Sequence, residues 1–338
     1  MNMEKISGTK VLIFSILLLA FLSFPGGENW GAEFELVAAA RTAVDYPWTK
    51  SLFEFDRLMN DRTGGRVRLK IHHSGALGDE REIAESVMRG TIAMGVPALN
   101  RLALWEPDFD VWGFPYLATD AKDVIELVKG LIFRDMAEKF RNKHGIRVLA
   151  PLTSGFRCIA NNKRPIETKN DLRDIKLRVA PSPLSVKTYN LMGCQAVPMP
   201  MQEVFSALQQ RVIDGYENDP ASHYIHKYYE VTKYLSITNT IFLFGVLIVN
   251  EKVFQSMPSD LQYMFLGSAD DTRRYNDKLF LELTASAIEK LKQAGTKVNY
   301  PKLDQFKEAV KPAYEEFSKK LSKGLVEAVV RTAPRGQE

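Results

Sequence analysis

The chain is poor in the residue types that demanding chemistry uses. Its 338 residues include only two cysteines, Cys158 and Cys194, and five histidines. Two cysteines cannot build the disulfide framework of a small secreted domain. Both lie in apolar, strand-like surroundings, so they read as small buried side chains, with a disulfide between them as the alternative in an oxidising compartment. There is no G-x-S-x-G elbow, P-loop, dinucleotide fingerprint or H-E-x-x-H. His223 and His226, three apart, read as a solvated helix face, and no third metal ligand accompanies them. His72 and His73 point to opposite faces of a strand. An excess of one charge is also missing: 45 Lys and Arg against 41 Asp and Glu leave a dispersed net charge of +4, too small to argue for a nucleic-acid partner. After residue 24 no run is long and apolar enough to span a bilayer, because residues 234–250 are broken by Ser236, Thr238, Asn239 and Thr240.

What is present is ordinary globular composition, 45% hydrophobic and 25% charged, in a chain long enough for two domains. At the N-terminus, Lys5 and Lys10 precede an apolar run over residues 11–24, and Pro25-Gly26-Gly27 ends it. That is the form of a secretory signal peptide, residues 1–32, cut between Gly27 and Ala32 or, as the alternative, retained as an uncleaved anchor, and it places the protein in the periplasm. No cysteine near this segment is available to carry a lipid.

The mature part opens with a strand over residues 34–40. Trp48, Leu52, Phe55 and Met59 come next on one helical face. Val67, Leu69 and Ile71 alternate with basic residues as a half-buried strand. Asp79 and Glu82 form a capping box before a helix that Gly90 closes, ahead of a strand over 91–96. This is the β-α-β-α-β order of a mainly parallel sheet with helices on its faces. Further on, the pattern predicts a helix over 119–142, a strand over 146–151 and extended chain over 235–250. A proline-free helix over 260–294 would be roughly 50 Å long. A last helix spans 303–329.

The most informative stretch runs from Lys176 to Asn218. Leu177 and Val179 face one way in a short strand and Arg178 the other, and Pro181 and Pro183 stop the strand at once. An arginine at the end of such a strand lies where open α/β sheets bind ligands. Val204, Phe205, Leu208 and Val212 then recur at near-helical spacing, Asp214-Gly215 breaks the run, and Tyr216-Glu217-Asn218 comes after it. Arg178 and Asn218 are placed to hold one anion together.

These segments carry a family resemblance. Lys176-Leu177-Arg178-Val179, Val197-Pro198-Met199, Glu203-Val204-Phe205 with Ala207-Leu208-Gln209, Asp214-Gly215 with Glu217-Asn218, and Lys227-Tyr228-Tyr229-Glu230-Val231 resemble, in order and spacing, the solute receptors of tripartite ATP-independent periplasmic (TRAP) transporters, the C4-dicarboxylate-receptor family. The resemblance runs from about Glu33 to near the C-terminus. It implies an α/β, two-lobed periplasmic-binding-protein fold of type II-like form, with a ligand cleft between the lobes and one long helix spanning both. Lobe I would comprise residues 33–154 plus 244–283, and lobe II residues 155–243 plus 284–338.

The resemblance also implies a site. Arg178 makes the main carboxylate clamp, because a guanidinium offers a planar fork of two parallel hydrogen bonds. Arg157 adds a second charge-assisted contact, and Asn218 supplies an acceptor and two donors. Ser182 and Met201 support them in the same lobe. Arg41, Asp45, Tyr46 and Asn100 are the candidates for selectivity in the opposite lobe. Asp219 stands where the family commonly has proline. The implied function is a non-enzymatic, monomeric receptor without cofactor or metal. It captures a small organic acid and delivers it to membrane permease subunits. The alternatives are the same module serving a sensory membrane receptor, or an enzyme on a related fold.

Overall fold

A computed structural model describes residues 32–118 and 120–332. The signal segment, Ala32 apart, lies outside that range. Strands β1 (Phe34–Ala40), β2 (Val67–His72) and β3 (Met94–Val96) alternate with the helices Pro47–Thr63 and Glu80–Arg89. β1 pairs in parallel with both of its neighbours, as the βαβ reading requires. The face of Trp48, Leu52, Phe55 and Met59 is wholly buried. At about 1.5–3 kcal/mol for each such side chain, this one face contributes several kcal/mol of burial. The capping box is formed: the Asp79 carboxylate accepts from the Glu82 backbone N–H, and the Glu82 carboxylate accepts from that of Asp79.

Two short 3-10 segments, Leu99–Leu104 and Pro107–Gly113, lead to the helices Ala121–Leu127 and Leu131–His144. The single helix predicted over 119–142 is therefore two, because Gly130 takes an extended conformation and starts the second. β4 (Ile146–Phe156), β5 (Cys158–Asn161) and β6 (Lys176–Val179) come next. After them stand the helix Pro183–Met192, β7 (Gln195–Pro198), the helix Met201–Gln209 and β8 (Gly215–Asn218). The helix Pro220–Ile225 precedes β9 (Tyr234–Ser236) and β10 (Phe242–Asn250). The chain ends with the long helix Ser259–Gln293, β11 (Lys297–Asn299) and the helices Asp304–Phe317 and Leu325–Thr332.

The strands form two sheets and so two lobes. The first has the order β2-β1-β3-β10-β4 and the second β11-β9-β5-β8-β6-β7. β4 and β10 run antiparallel from Ile146↔Asn250 to Phe156↔Phe242. Two of the passages between the lobes therefore leave from one end of a single ribbon. The pairing continues past that end, where the Arg157 N–H donates to the Ile241 carbonyl at 2.7 Å. This ribbon sets Arg157 between the sheets.

The 35-residue helix Ser259–Gln293 serves both lobes. Leu261, Phe265 and Ala269 join the core of the first, and Leu291 packs with Leu208 and Tyr216 in the second. The C-terminal end departs from the expectation. Gly324 and the 3-10 turn at Ser318–Lys320 divide the predicted last helix, and the helix Leu325–Thr332 packs on the first lobe rather than the second. Val326 and Val329 join the cluster of Phe109, Trp112 and Phe133, and Ser322 bonds the Asp108 carboxylate through its N–H and its hydroxyl. The apolar face of this short helix finds its unfilled partner surface there.

Candidate ligand-binding site

A cavity of about 310 Å³ lies between the two sheets, with walls from both lobes. Of the nine candidate residues, Arg41, Tyr46, Asn100, Arg157, Arg178, Ser182, Met201 and Asn218 line it. Asp45 does not: it is exposed, because the turn before the helix Pro47–Thr63 directs Tyr46 inward and Val44 and Asp45 outward.

The second-lobe wall is built on strand ends. Leu177 and Val179 enter the lobe core, which leaves Arg178 on the other side, 3% exposed. Its Nε–H donates to the Met199 carbonyl at 2.8 Å and Nη1 to Glu217 Oε1 at 3.3 Å. Arg157 donates from Nε to Glu217 Oε2 and from Nη1 to Asn218 Oδ1. Glu217 also accepts from the Ala180 N–H at 2.9 Å. One buried carboxylate thus holds both guanidinium groups from the protein side. Among the described residues, neither arginine's Nη2 has a hydrogen-bond partner.

Electrostatics separate the two cations. Burial pulls Arg178 down to about 10, and Glu217 only partly opposes this. Burial acts on Arg157 in the same direction, but Glu217 and Asp219 outweigh it and raise its pKa. Asp219 is pushed up by burial against the pull of Arg157, and it caps the helix Pro220–Ile225 through the Ser222 N–H at 2.8 Å. Arg178 is therefore the less compensated of the two cations.

The first-lobe wall centres on Glu80, which Arg41 reaches at 2.9 Å and Arg101 at 3.5 Å. Burial raises the Glu80 carboxyl, and the two arginines more than reverse it. Arg101 also donates to the Pro181 carbonyl of the other lobe at 3.3 Å. Tyr46 Oη and Ser154 Oγ lie 2.7 Å apart where β4 approaches the crossing. Ser182 caps the helix Pro183–Met192 through the Ser185 N–H, and Met201 opens the next helix on the cavity rim.

Residues 38–320 match the bacterial extracellular solute-binding proteins, family 7. The chain belongs to this family, the one that includes the TRAP solute receptors. It is 27% identical over 285 residues to the 2,3-diketo-L-gulonate-binding periplasmic protein of Escherichia coli, covering 84% of each chain. Its fold is similar to that of the sugar acid-binding protein of Advenella mimigardefordensis solved with galactonate (TM-score 0.85, 25% identity, 90% of this chain and 98% of that one). It is also similar to a TRAP solute-binding protein of Xanthobacter autotrophicus solved with β-D-galacturonate (TM-score 0.82, 28% identity, 88% and 99%).

Sequence reasoning passed over several groups that this family 7 protein brings to the cavity. Glu217 stands inside one of the family motifs, and an acid within an apolar strand already signals a cation partner. Glu80 carried no local signal because it sits among charged residues, and Arg101 is a lone cation in an apolar run whose acidic partner lies 21 residues away. The reading of His223 and His226 as solvated is corrected. His223 is 1% exposed, with its Nδ1 2.7 Å from Tyr216 Oη, and His226 lines the cavity beside Tyr46. Tyr216 and Thr232 cover His223, and the rings of Tyr46 and Tyr228 flank His226. The cysteines are free and buried in different clusters, and burial pushes both thiols up to about 12.

Proposed function

We propose that this protein is the extracytoplasmic receptor of a TRAP transporter, in which two lobes close on a small organic acid and the closed form docks on membrane permease subunits. The observation that carries this reading is the pair of buried guanidinium groups, Arg157 and Arg178, anchored from behind by Glu217 and lining a cavity shared by both lobes. Arg178 takes the carboxylate through its fork, Arg157 adds a second contact, and Asn218 completes the ring of donors. Selectivity comes from Arg41, Tyr46 and Asn100 on the facing wall, with Asp45 turned away from the ligand. Solved relatives hold galactonate and β-D-galacturonate, which supports a sugar acid as the ligand class here. A cavity of about 310 Å³ accommodates such a molecule. The lobes divide as 33–154 plus 244–283 and 155–243 plus 284–317, with the last helix counted in lobe I. The role is capture and release rather than catalysis: closure is a shift between open and closed populations that the ligand biases.

The test is a thermal-shift screen of aldonic and uronic acids, keto acids and dicarboxylates beside their neutral analogues. A ligand at 1,000 times its Kd stabilises by about 4 kcal/mol. Stabilisation by one acid class and not by its neutral analogues is the expected result. A response to neutral sugars alone would refute the carboxylate clamp.

A further inference from the structure

His226 ends the helix Pro220–Ile225 of the second lobe and lines the cavity. The Tyr46 ring, from the first lobe, stacks on its imidazole with centroids 6.1 Å apart and planes at 25°, and the Tyr228 ring meets it edge-on at 6.3 Å. Packing thus fixes the ring from two sides. Its nitrogens have no hydrogen-bond partner among the described residues, and neither is sealed from solvent. His223, three residues earlier, is the contrast. It is 1% exposed, and its nitrogens lie 2.7 Å from Tyr216 Oη and 3.4 Å from Thr232 Oγ1. One imidazole is satisfied within the fold, and the other opens on the cavity with both nitrogens free. A ring kept for packing alone needs no nitrogens, since phenylalanine fills the same gap between two tyrosines.

The surroundings also set the charge of this ring. Burial and the Arg41 guanidinium both hold its pKa below the usual range. At neutral pH the imidazole is therefore uncharged, with one nitrogen donating and the other accepting. Arg41 stands on the facing lobe, its Nε committed to Glu80. The cation that acts on His226 is Arg41, whereas Arg157 and Arg178 are gathered on Glu217. The ring thus lies on the Arg41 side of the cavity, apart from the carboxylate clamp. We propose that His226 contacts the ligand directly and reads an oxygen of the bound acid other than its clamped carboxylate. This rests on the receptor reading above and adds a second-lobe residue to the selectivity that reading gives to the first lobe.

The experiment is calorimetric titration of the purified protein, His226→Phe and His226→Gln with D-galactonate and D-galacturonate. Phenylalanine keeps a ring between the tyrosines and loses both nitrogens. Glutamine keeps a donor and an acceptor and loses the ring. Loss of one hydrogen bond weakens binding about tenfold in His226→Phe, and His226→Gln stays within about threefold of the wild type. A ring that serves packing alone gives the opposite order. In a long-range ¹H–¹⁵N spectrum of the wild type, the His226 ring nitrogens shift on addition of whichever acid binds, a readout that stands even if His226→Phe does not fold. Affinity retained in His226→Phe, weaker binding by His226→Gln than by His226→Phe, or unmoved ring nitrogens overturns the contact and leaves the receptor reading standing. A wild-type protein that binds neither acid overturns the sugar-acid reading and the contact with it.

Discussion

Replacing Arg178 with alanine should separate binding from folding. In the native protein its guanidinium is buried, held by Met199 and Glu217, and drawn down to about 10 by desolvation. Truncation strands little: Glu217 keeps Arg157 and the Ala180 N–H at 2.9 Å. A buried ion pair broken at one end ordinarily costs about 3–5 kcal/mol because a bare charge remains. Here the charge that remains is still paired, and the one removed was itself poorly compensated. The folding cost is expected to be about 1–2 kcal/mol, well below that range. A ligand carboxylate has no such reserve. Losing the fork should cost about 2–5 kcal/mol, or about 30- to several-thousand-fold in Kd. Arg178→Lys keeps the charge without the fork and should fall between, at roughly tenfold. Titration calorimetry with D-galactonate and D-galacturonate reads the affinity, and thermal unfolding of the free protein reads the fold. Kd should stay level through neutral pH and rise above about 10, where Arg178 gives up its proton. An Arg178→Ala protein that binds within about fivefold of wild type, about 1 kcal/mol, would show that the carboxylate is held elsewhere.

Three further outcomes are expected. His223 is depressed to about 3 by burial, so the unfolded chain takes up its proton first as pH falls. Stability should be lost from about pH 6.5 down to about 3, by up to about 5 kcal/mol. Denaturant titrations at stepped pH would show this slope flattened in His223→Gln, and an unchanged slope would assign the loss to other groups. Gly155→Ala should destabilise by about 2–5 kcal/mol in urea unfolding, because φ is +126° and the added Cβ meets the Phe280 ring at 2.5 Å; a cost under about 0.5 kcal/mol would mean that the ring yields freely. Both cysteines should resist a thiol reagent in the native protein and react fully once unfolded, with Tm indifferent to reductant, since both are free and buried. Formation of a disulfide would contradict that geometry.

Much of the local architecture was legible in residue order. β1 and β6 fall on residues 34–40 and 176–179, and the capping box at Asp79 begins the helix it announced. These features depend on neighbours a few residues apart: alternation, helical spacing, a cap, a proline stop. Arg178 belongs with them, since a charge at the end of a short apolar strand is conspicuous in one dimension. Boundaries that depend on a single glycine were less visible. Gly130 and Gly324 divide two helices that periodicity alone runs together.

The sequence by itself determined the family, the alternation of strands and helices that opens the mature chain, and the position of Arg178 at a strand end, because those rest on short-range pattern and on motifs read in series. Tertiary structure alone decided what stands opposite. Glu217 lies 39 and 60 residues from the arginines it joins, and Glu80 lies 39 and 21 from Arg41 and Arg101. Whether a histidine is solvated or buried, which lobe takes the last helix, and which of two adjacent residues, Asp45 or Tyr46, turns inward are settled by packing between distant segments. Each such side chain's environment is made of atoms that chain order does not bring near, so its partner, its charge state and its role exist only once the lobes have assembled.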